Sequence, residues 1–516
     1  MSSIVTGMTT AQIAAFSTSQ IASLTTADIA ALNTDQVANG LTTNQVVALT
    51  TAQVAVLSTA QIIVFTTTQV AALETRDLAV LKTTQIQGLN TDQIANGLTT
   101  TQIQALTTAQ VGAMTTDQVV NGLTTAQIVA LTSTQVGGFS TAAMQALTTT
   151  QVAALETTDV AALKTTQISV LTTDQVANGL TTAQVVALTS AQAAALTTAE
   201  VQALTTTQVG ALETTDLAGL KTTQIQALTT DQIANGLKTT QIQALTTAQV
   251  AALTTDQAAN GLNTAQIVAL TSTQVGGLST NAVQALTTAQ VAALETTDLA
   301  ELKTAQIKVL TTDQVANGLT TAQVVALTTA QAGALTTAQV QALTTTQVNA
   351  LETRDLASMN TTQIAALTTD QIANGLSTTQ IAAFTTAQIA AFNTDQLVNG
   401  FTTAQIVALT TTQAGALTTA QTQALTTTQV AAMETTDVAA LKTTQIAALT
   451  TDQIANGLTT AQIVALTSTQ VGGLTTAGVQ ALTTTQVGAL ETTDLAGLKT
   501  TQIQALTTDQ IANGLK

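Results

Sequence analysis

Leu180-Thr181-Thr182-Ala183-Gln184-Val185-Val186-Ala187 is one pass of a pattern that fills the chain. The next passes open at Leu188 and Leu196, and the pattern Leu-Thr-Thr-x-Gln-(Ile/Val)-x-Ala runs from Met8 onward. A fixed period of this kind decides the architecture before any local signal does. Eleven octads carry one extra residue and close in Asn-Gly, at Gly40, Gly97, Gly122, Gly179, Gly236, Gly261, Gly318, Gly375, Gly400, Gly457 and Gly514. With those eleven residues set aside, Met8 to Lys516 counts out as 62 octads and the first two residues of another. Residues 1–7 read as a lead-in and residues 8–516 as one continuous octapeptide-repeat solenoid, without a linker or a shift in composition. Because Lys516 stands two residues into a new octad, the expectation is that the fold continued beyond it or stacks on another copy.

The spacing of apolar residues within one octad selects the local structure. Positions 1 and 6 lie five and three residues apart, so on a continuous helix the buried stripe would rotate by roughly 80° per octad. An extended strand fits no better, since its alternation breaks between Gln and Ile. A very short helix fits. Thr at position 2 and Gln at position 5 make the S/T-x-x-Q capping box, and Leu at position 1 faces Ile or Val at position 6 as a hydrophobic staple. Thr99 to Gln102, with Leu98 and Ile103, shows all of these together. Isolated helices under about 12 residues are marginal in water, so each octad must gain its stability by stacking on its neighbours. The expected fold is all-α, a repeat solenoid of very short capped helices, one per octad. A β-solenoid is the alternative, since Thr, Val and Ile suit strands. Most octads, however, lack the Gly, Asn or Asp that a tight β corner requires.

Two sets of markers suggest the size of the coil. The Asn-Gly octads recur at steps of 57 and 25 residues, or seven and three octads. Glu replaces the capping Thr at Glu74, Glu156, Glu213, Glu295, Glu352, Glu434 and Glu491, at alternating steps of 82 and 57 residues. If the markers share a face, seven and ten octads are both close to whole turns, which predicts roughly 3.4 octads per turn.

Composition narrows the function. The chain has no Cys, His, Trp, Tyr or Pro, 1% aromatic residues, 8% charged residues and a net charge of −17. Without thiols or imidazoles there is no disulfide framework, and the usual Cys–His and Ser–His–Asp catalytic groups are excluded. The chain is therefore read as no enzyme, with no catalytic, cofactor-binding or metal-binding residue assigned. Lys and Arg are too few and too scattered to follow a nucleic acid backbone. No apolar run is long enough for membrane insertion. A basic n-region followed by an apolar stretch is missing at the N-terminus, so a cleaved signal peptide is not expected.

Four surface features invite a functional reading. Lys follows Glu by one octad at Lys82, Lys164, Lys221, Lys303, Lys442 and Lys499, with Asn360 as the exception after Glu352. These residues read as solvated ion pairs within the chain or as a stripe that docks a neighbouring copy. The Asp-Gln-x-x-Asn-Gly octads, such as Asp92, Asn96 and Gly97, place an Asp and an Asn four residues apart. Calcium is the conceivable ligand there, but it prefers six to eight oxygens. The simpler reading is Asp near a helix N-terminus and Gly as a left-handed C-cap. The pairs Gly137-Gly138, Gly276-Gly277 and Gly472-Gly473 read as points of close coil packing. Runs of Thr-Thr read as helix caps, or as a face for ice or a carbohydrate.

From Met8 onward the chain resembles the Thr/Ala/Gln-rich tandem octad regions of very large secreted bacterial surface and adhesin-type proteins. The resemblance implies export without a cleaved N-terminal signal, guided from the C-terminus, and life outside the cell or on its surface. The expected function is structural: a stiff extracellular rod or filament, a surface layer or an adhesin stalk, formed by self-association. The alternative is an extracellular module that binds calcium, a carbohydrate or ice on a repeat scaffold.

Overall fold

The computed structural model describes residues 3–515. Lys516, on which the continued fold was expected, and the first two residues of the lead-in lie outside the described residues. Among those described there are 51 α-helices and 11 five-residue π-helical turns, one element per octad, and no strand. The fold is an all-α repeat solenoid.

Each octad folds as its capping chemistry dictates. In Thr100–Ala105 the N-cap Thr99 is extended, its hydroxyl accepts from the Gln102 N–H, and the Gln102 carboxamide oxygen accepts from the Thr99 N–H at 2.8 Å. The helix ends after six residues because Leu106 leaves the helical region and begins the next corner. Thr51–Val54 does the same in four residues. Position 6 is fully buried from Ile13 to Val487, as at Ile103, Val152 and Ile381, and position 1 is nearly so over most of that span; in the last octads Ile503 and Ile511 are half exposed. These two positions form the core, while the Thr residues stay at the surface.

The eleven Asn-Gly octads are a correction. The Gly was expected as a left-handed C-cap, yet among the described residues only Gly7 has a positive φ. The extra residue instead widens the helix into a π-turn, in which the Leu41 N–H donates to the Gln36 carbonyl five residues back at 3.0 Å. The Gly is required by packing: a Cβ on Gly97 would sit 3.0 Å from the Val70 Cβ, on the helix three octads earlier. The wider turn presses its last residue onto that helix, so only a residue without a side chain fits.

The chain forms two compact units, the first ending at Leu262 and the second beginning at Asn263. In the first, Thr100–Ala105 packs on Thr125–Ala130, three octads on. In the second, Ser272–Gly277 packs on Thr296–Glu301 in the same relation. The Gln of position 5 reaches back further still. Gln85 donates to the Leu57 carbonyl, 28 residues earlier, at 2.5 Å. A coil therefore closes between three and four octads, at about 28 residues.

This Gln is the central structural residue. It is buried in almost every octad, at 1–4% exposure. Its oxygen caps its own helix, and its amide nitrogen donates to two carbonyls of the previous coil. Gln102 reaches the Val70 and Leu73 carbonyls at 3.0 and 2.7 Å, and Gln347 reaches those of Val315 and Leu319 at 2.7 and 2.6 Å. Those acceptors lie at the C-terminal end of a short helix, where carbonyls lack intrahelical partners. One side chain thus satisfies the start of one helix and the end of another a coil away.

The lead-in joins the same scheme. Val5 is buried, and the carbonyls of Val5 and Met8 accept from the Gln36 amide at 3.1 and 2.8 Å. Residues 3–7 therefore behave as the tail of an octad.

Candidate functional site

The sequence assigned no catalytic, cofactor or metal residue, so the candidate chemistry lies where octads depart from the pattern. The Glu octads depart most. Glu stands at the N-cap and forms no side-chain capping bond, as at Glu74, Glu213 and Glu434. Position 5 is Asp instead of Gln, giving Asp77, Asp159, Asp216, Asp298, Asp355, Asp437 and Asp494, all buried at 0–4% exposure. Asp has no amide to donate, so the stitch to the previous coil is missing at these seven places. Six of them accept instead from a hydroxyl three octads earlier, between 2.6 Å for Ser272 to Asp298 and 3.1 Å for Thr329 to Asp355. Asp437 lacks that bond, and the outer oxygens of Asp77, Asp298, Asp355 and Asp437 have no partner.

The electrostatics follow from this geometry. Burial pushes the Asp77 and Asp355 carboxyls up, partly opposed by the Thr51 or Thr329 hydroxyl and by the adjacent arginine. Asp437 has neither, and burial together with the nearby Glu434 pushes it up to about 6. Asp28 occupies the same octad position with the opposite result. The Thr25 hydroxyl and N–H, the Ile4 N–H and the Ser3 hydroxyl all donate to it, and they hold it down at about 2 despite burial. Donors decide the sign, since hydrogen bonds to the charged form favour ionisation and burial opposes it.

The ion pairs differ from expectation. Among the described residues, Glu is not paired with the Lys of the next octad. The bridges run from Arg76 to Glu74 at 2.5 Å and from Arg354 to Glu352 at 2.7 Å, inside a single octad. The physical reason is the fold itself: N-caps of successive octads stand on successive corners of the coil, so Glu and Lys point from different faces. The intrachain reading of the Glu–Lys pairs is corrected accordingly.

In the Asn-Gly octads the two polar residues bond each other. Asn96 donates to the Asp92 carboxylate at 2.8 Å, and Asn39 to Asp35 likewise. Among the described residues, no three acidic side chains, His or Cys come together as a metal-binding group. No helix there is long and apolar enough to cross a membrane. The surface carries shallow, open grooves. One of 510 Å³ is lined by Thr206, Thr207, Gly210, Asn235 and Lys238, and a similar one of 320 Å³ by Thr484, Thr485, Gly488 and Asn513. The double glycines pack closely: a Cβ on Gly138 would meet the Thr108 methyl at 2.5 Å.

Comparison with known proteins places the repeat. A search of the curated proteins finds no match. The leucine-rich repeat-containing protein LegL7 from Legionella pneumophila is matched at 11% identity over 46% of this chain and 77% of that one, with a TM-score of 0.14, too low to carry an argument. The model of the ALTTAQ repeat matches thirteen stretches between residues 5 and 513, among them 5–43, 209–235, 291–329 and 430–468. These stretches together cover well over half of the sequence and follow the same octads whose caps and stitches are described above, so the chain belongs to the ALTTAQ repeat family.

Proposed function

We propose that this is a structural protein, a repeat scaffold that self-associates into an extracellular rod or filament of the bacterial surface-layer or adhesin-stalk kind. The observation that carries the reading is the Gln stitch. The same buried amide joins coil to coil from Gln36 to Gln257 in the first unit and from Gln306 to Gln510 in the second, with few interruptions. A solenoid held by nearest-neighbour contacts gains length without losing order, which suits a mechanical role. The absence of thiols and the acidic, Thr-rich surface agree with an extracellular setting. Negative-stain electron microscopy and sedimentation of the purified chain test the proposal. Concentration-dependent elongated assemblies are expected, and a chain that stays monomeric at 100-fold dilution and at millimolar concentration alike would defeat it. The Thr- and Asn-lined grooves favour a second reading, binding of a carbohydrate by hydroxyl and amide groups. Glycan-array binding by isolated monomers would support that reading over the first.

A further inference from the structure

The further inference rests on the self-association reading and names the surface responsible. Seven valines at position 7 are exposed where most octads carry Ala, Gln or Gly: Val47, Val129, Val186, Val268, Val325, Val407 and Val464, at 42–47% exposure. Each stands 27 residues, close to one coil, before a Glu of the marker series. Val186 and Glu213 line one groove, which shows that the two are neighbours on the surface. Each unit thus presents a column of Val knobs, each followed one coil later by a carboxylate that is exposed at five sites and partly covered at Glu74 and Glu352, where Arg76 and Arg354 pair with it.

Eight residues further along lies a second column. Position 7 there is small at every site, with Ala55, Gly137, Ala194, Gly276, Gly333, Gly415 and Gly472, and 27 residues later stand Lys82, Lys164, Lys221, Lys303, Asn360, Lys442 and Lys499. These are the same octad positions at the same separation as Val and Glu. Chain packing explains some of the glycines: a Cβ on Gly276, Gly415 or Gly472 would come within 2.8–3.0 Å of a carbonyl of the next coil. It does not explain Gly333, whose Cβ would approach the next coil no closer than 3.7 Å, nor the alanines.

We infer that the Val–Glu column of one copy docks on the Ala/Gly–Lys column of a second, parallel copy, each Val packing over a small residue and six of the seven Glu meeting a Lys, with Asn360 at the seventh place. Three features select this occupant. The charges are opposite, a bulky residue faces a small one, and both columns step by the same uneven 82 and 57 residues. A partner for the Glu column must carry basic groups at those uneven steps, and this chain's own Lys column does. Parallel orientation follows because Val precedes Glu as the small residue precedes Lys, so both contacts form together only when the copies run the same way. The surfaces that meet are different, which makes the contact heterologous and able to propagate.

A charge-swap experiment on the full chain tests this. One variant carries Lys at all seven Glu sites, and a second carries Glu at the six Lys sites. Each residue is one the N-cap already accepts elsewhere in the chain, and circular dichroism checks the fold. Opposed like charges cost enough that each variant alone is expected to lose lateral association by at least about tenfold. An equimolar mixture is expected to regain it, read by sedimentation velocity. A separate variant with Leu at Ala55, Ala194 and Gly333 is expected to weaken association without any change of charge. If either swapped variant assembles alone as the unaltered chain does, or the mixture fails to recover, the assignment of this surface falls while self-association stands. If the unaltered chain itself never associates, both readings fall together.

Discussion

Asp437 offers the sharpest test of the energetics. Its carboxyl is 2% exposed, its outer oxygen has no partner, and its pKa is pushed up to about 6 from an ordinary 3.8. The helices packed against it, Thr411–Ala414 and Thr460–Ala465, carry no titratable side chain, so only Glu434 acts on it at short range. The sign follows from linkage. Below about pH 4 the group is protonated in folded and unfolded chains alike and costs nothing. Between pH 4 and 6 the unfolded chain ionises first and the folded state loses stability. Above pH 6 the loss is complete, and at about 1.4 kcal/mol per pH unit it reaches roughly 3 kcal/mol. Asp437→Asn removes the charge and is expected to recover most of that amount at pH 7. Asp437→Gln is expected to recover more, because its amide is long enough to reach the Ile406 and Leu409 carbonyls as Gln445 reaches those of Ala414 and Leu417. Amide hydrogen exchange over residues 403–448, measured between pH 4.5 and 8, reads the local opening free energy without assuming that the whole chain unfolds at once. The difference between variant and unaltered chain must grow between pH 4 and 6 and then level off. A difference that stays constant with pH, or a Gln variant less stable than Asp at pH 7, refutes the reasoning.

Other perturbations address the remaining parts of the design. Gln347→Leu keeps the volume but strands the Thr344 N–H and the Val315 and Leu319 carbonyls; at about 1–3 kcal/mol for each buried unsatisfied group, a local loss of at least 3 kcal/mol is expected by hydrogen exchange. Glu200 occupies a Gln position, is buried and has a raised pKa, so Glu200→Gln is expected to stabilise the first unit at neutral pH and to a smaller extent at pH 4, where only the added amide bonds remain as a gain, read by chemical denaturation. Asp28 behaves oppositely: its stabilising contribution is present above pH 4 and is lost as pH falls toward 2, so Asp28→Asn is expected to destabilise at neutral pH and to flatten the acid dependence of exchange in residues 9–37. Gly375→Ala sets a methyl group 3.1 Å from the Val348 Cβ and the Thr345 carbonyl, and a cost of about 1–3 kcal/mol is expected in thermal melting.

Much of this protein was legible in one octad. The Thr-x-x-Gln box with its Leu–Ile staple dictates a short capped helix because each element satisfies a backbone donor or packs within the same few residues, and Thr99–Ile103 adopts it as read. The coil of three to four octads followed from marker spacing alone. The second half of the Gln side chain was hidden, because its amide bonds carbonyls about four octads away and nothing in the local pattern announces such a partner. The conformation of Gly97 was misread for a related reason: Asn-Gly carries a strong local turn signal, but here the glycine answers to Val70 on the neighbouring coil. The same holds for the acids. Asp28 and Asp437 occupy equivalent octad positions, and the structure, by supplying four donors to one, two of them from Ser3 and Ile4 a coil away, and none to the other, sets their titration on opposite sides of an ordinary carboxyl. Local hydrogen bonds are thus written into the repeat, whereas contacts between coils depend on how many residues the coil takes to close, a quantity that no single octad contains.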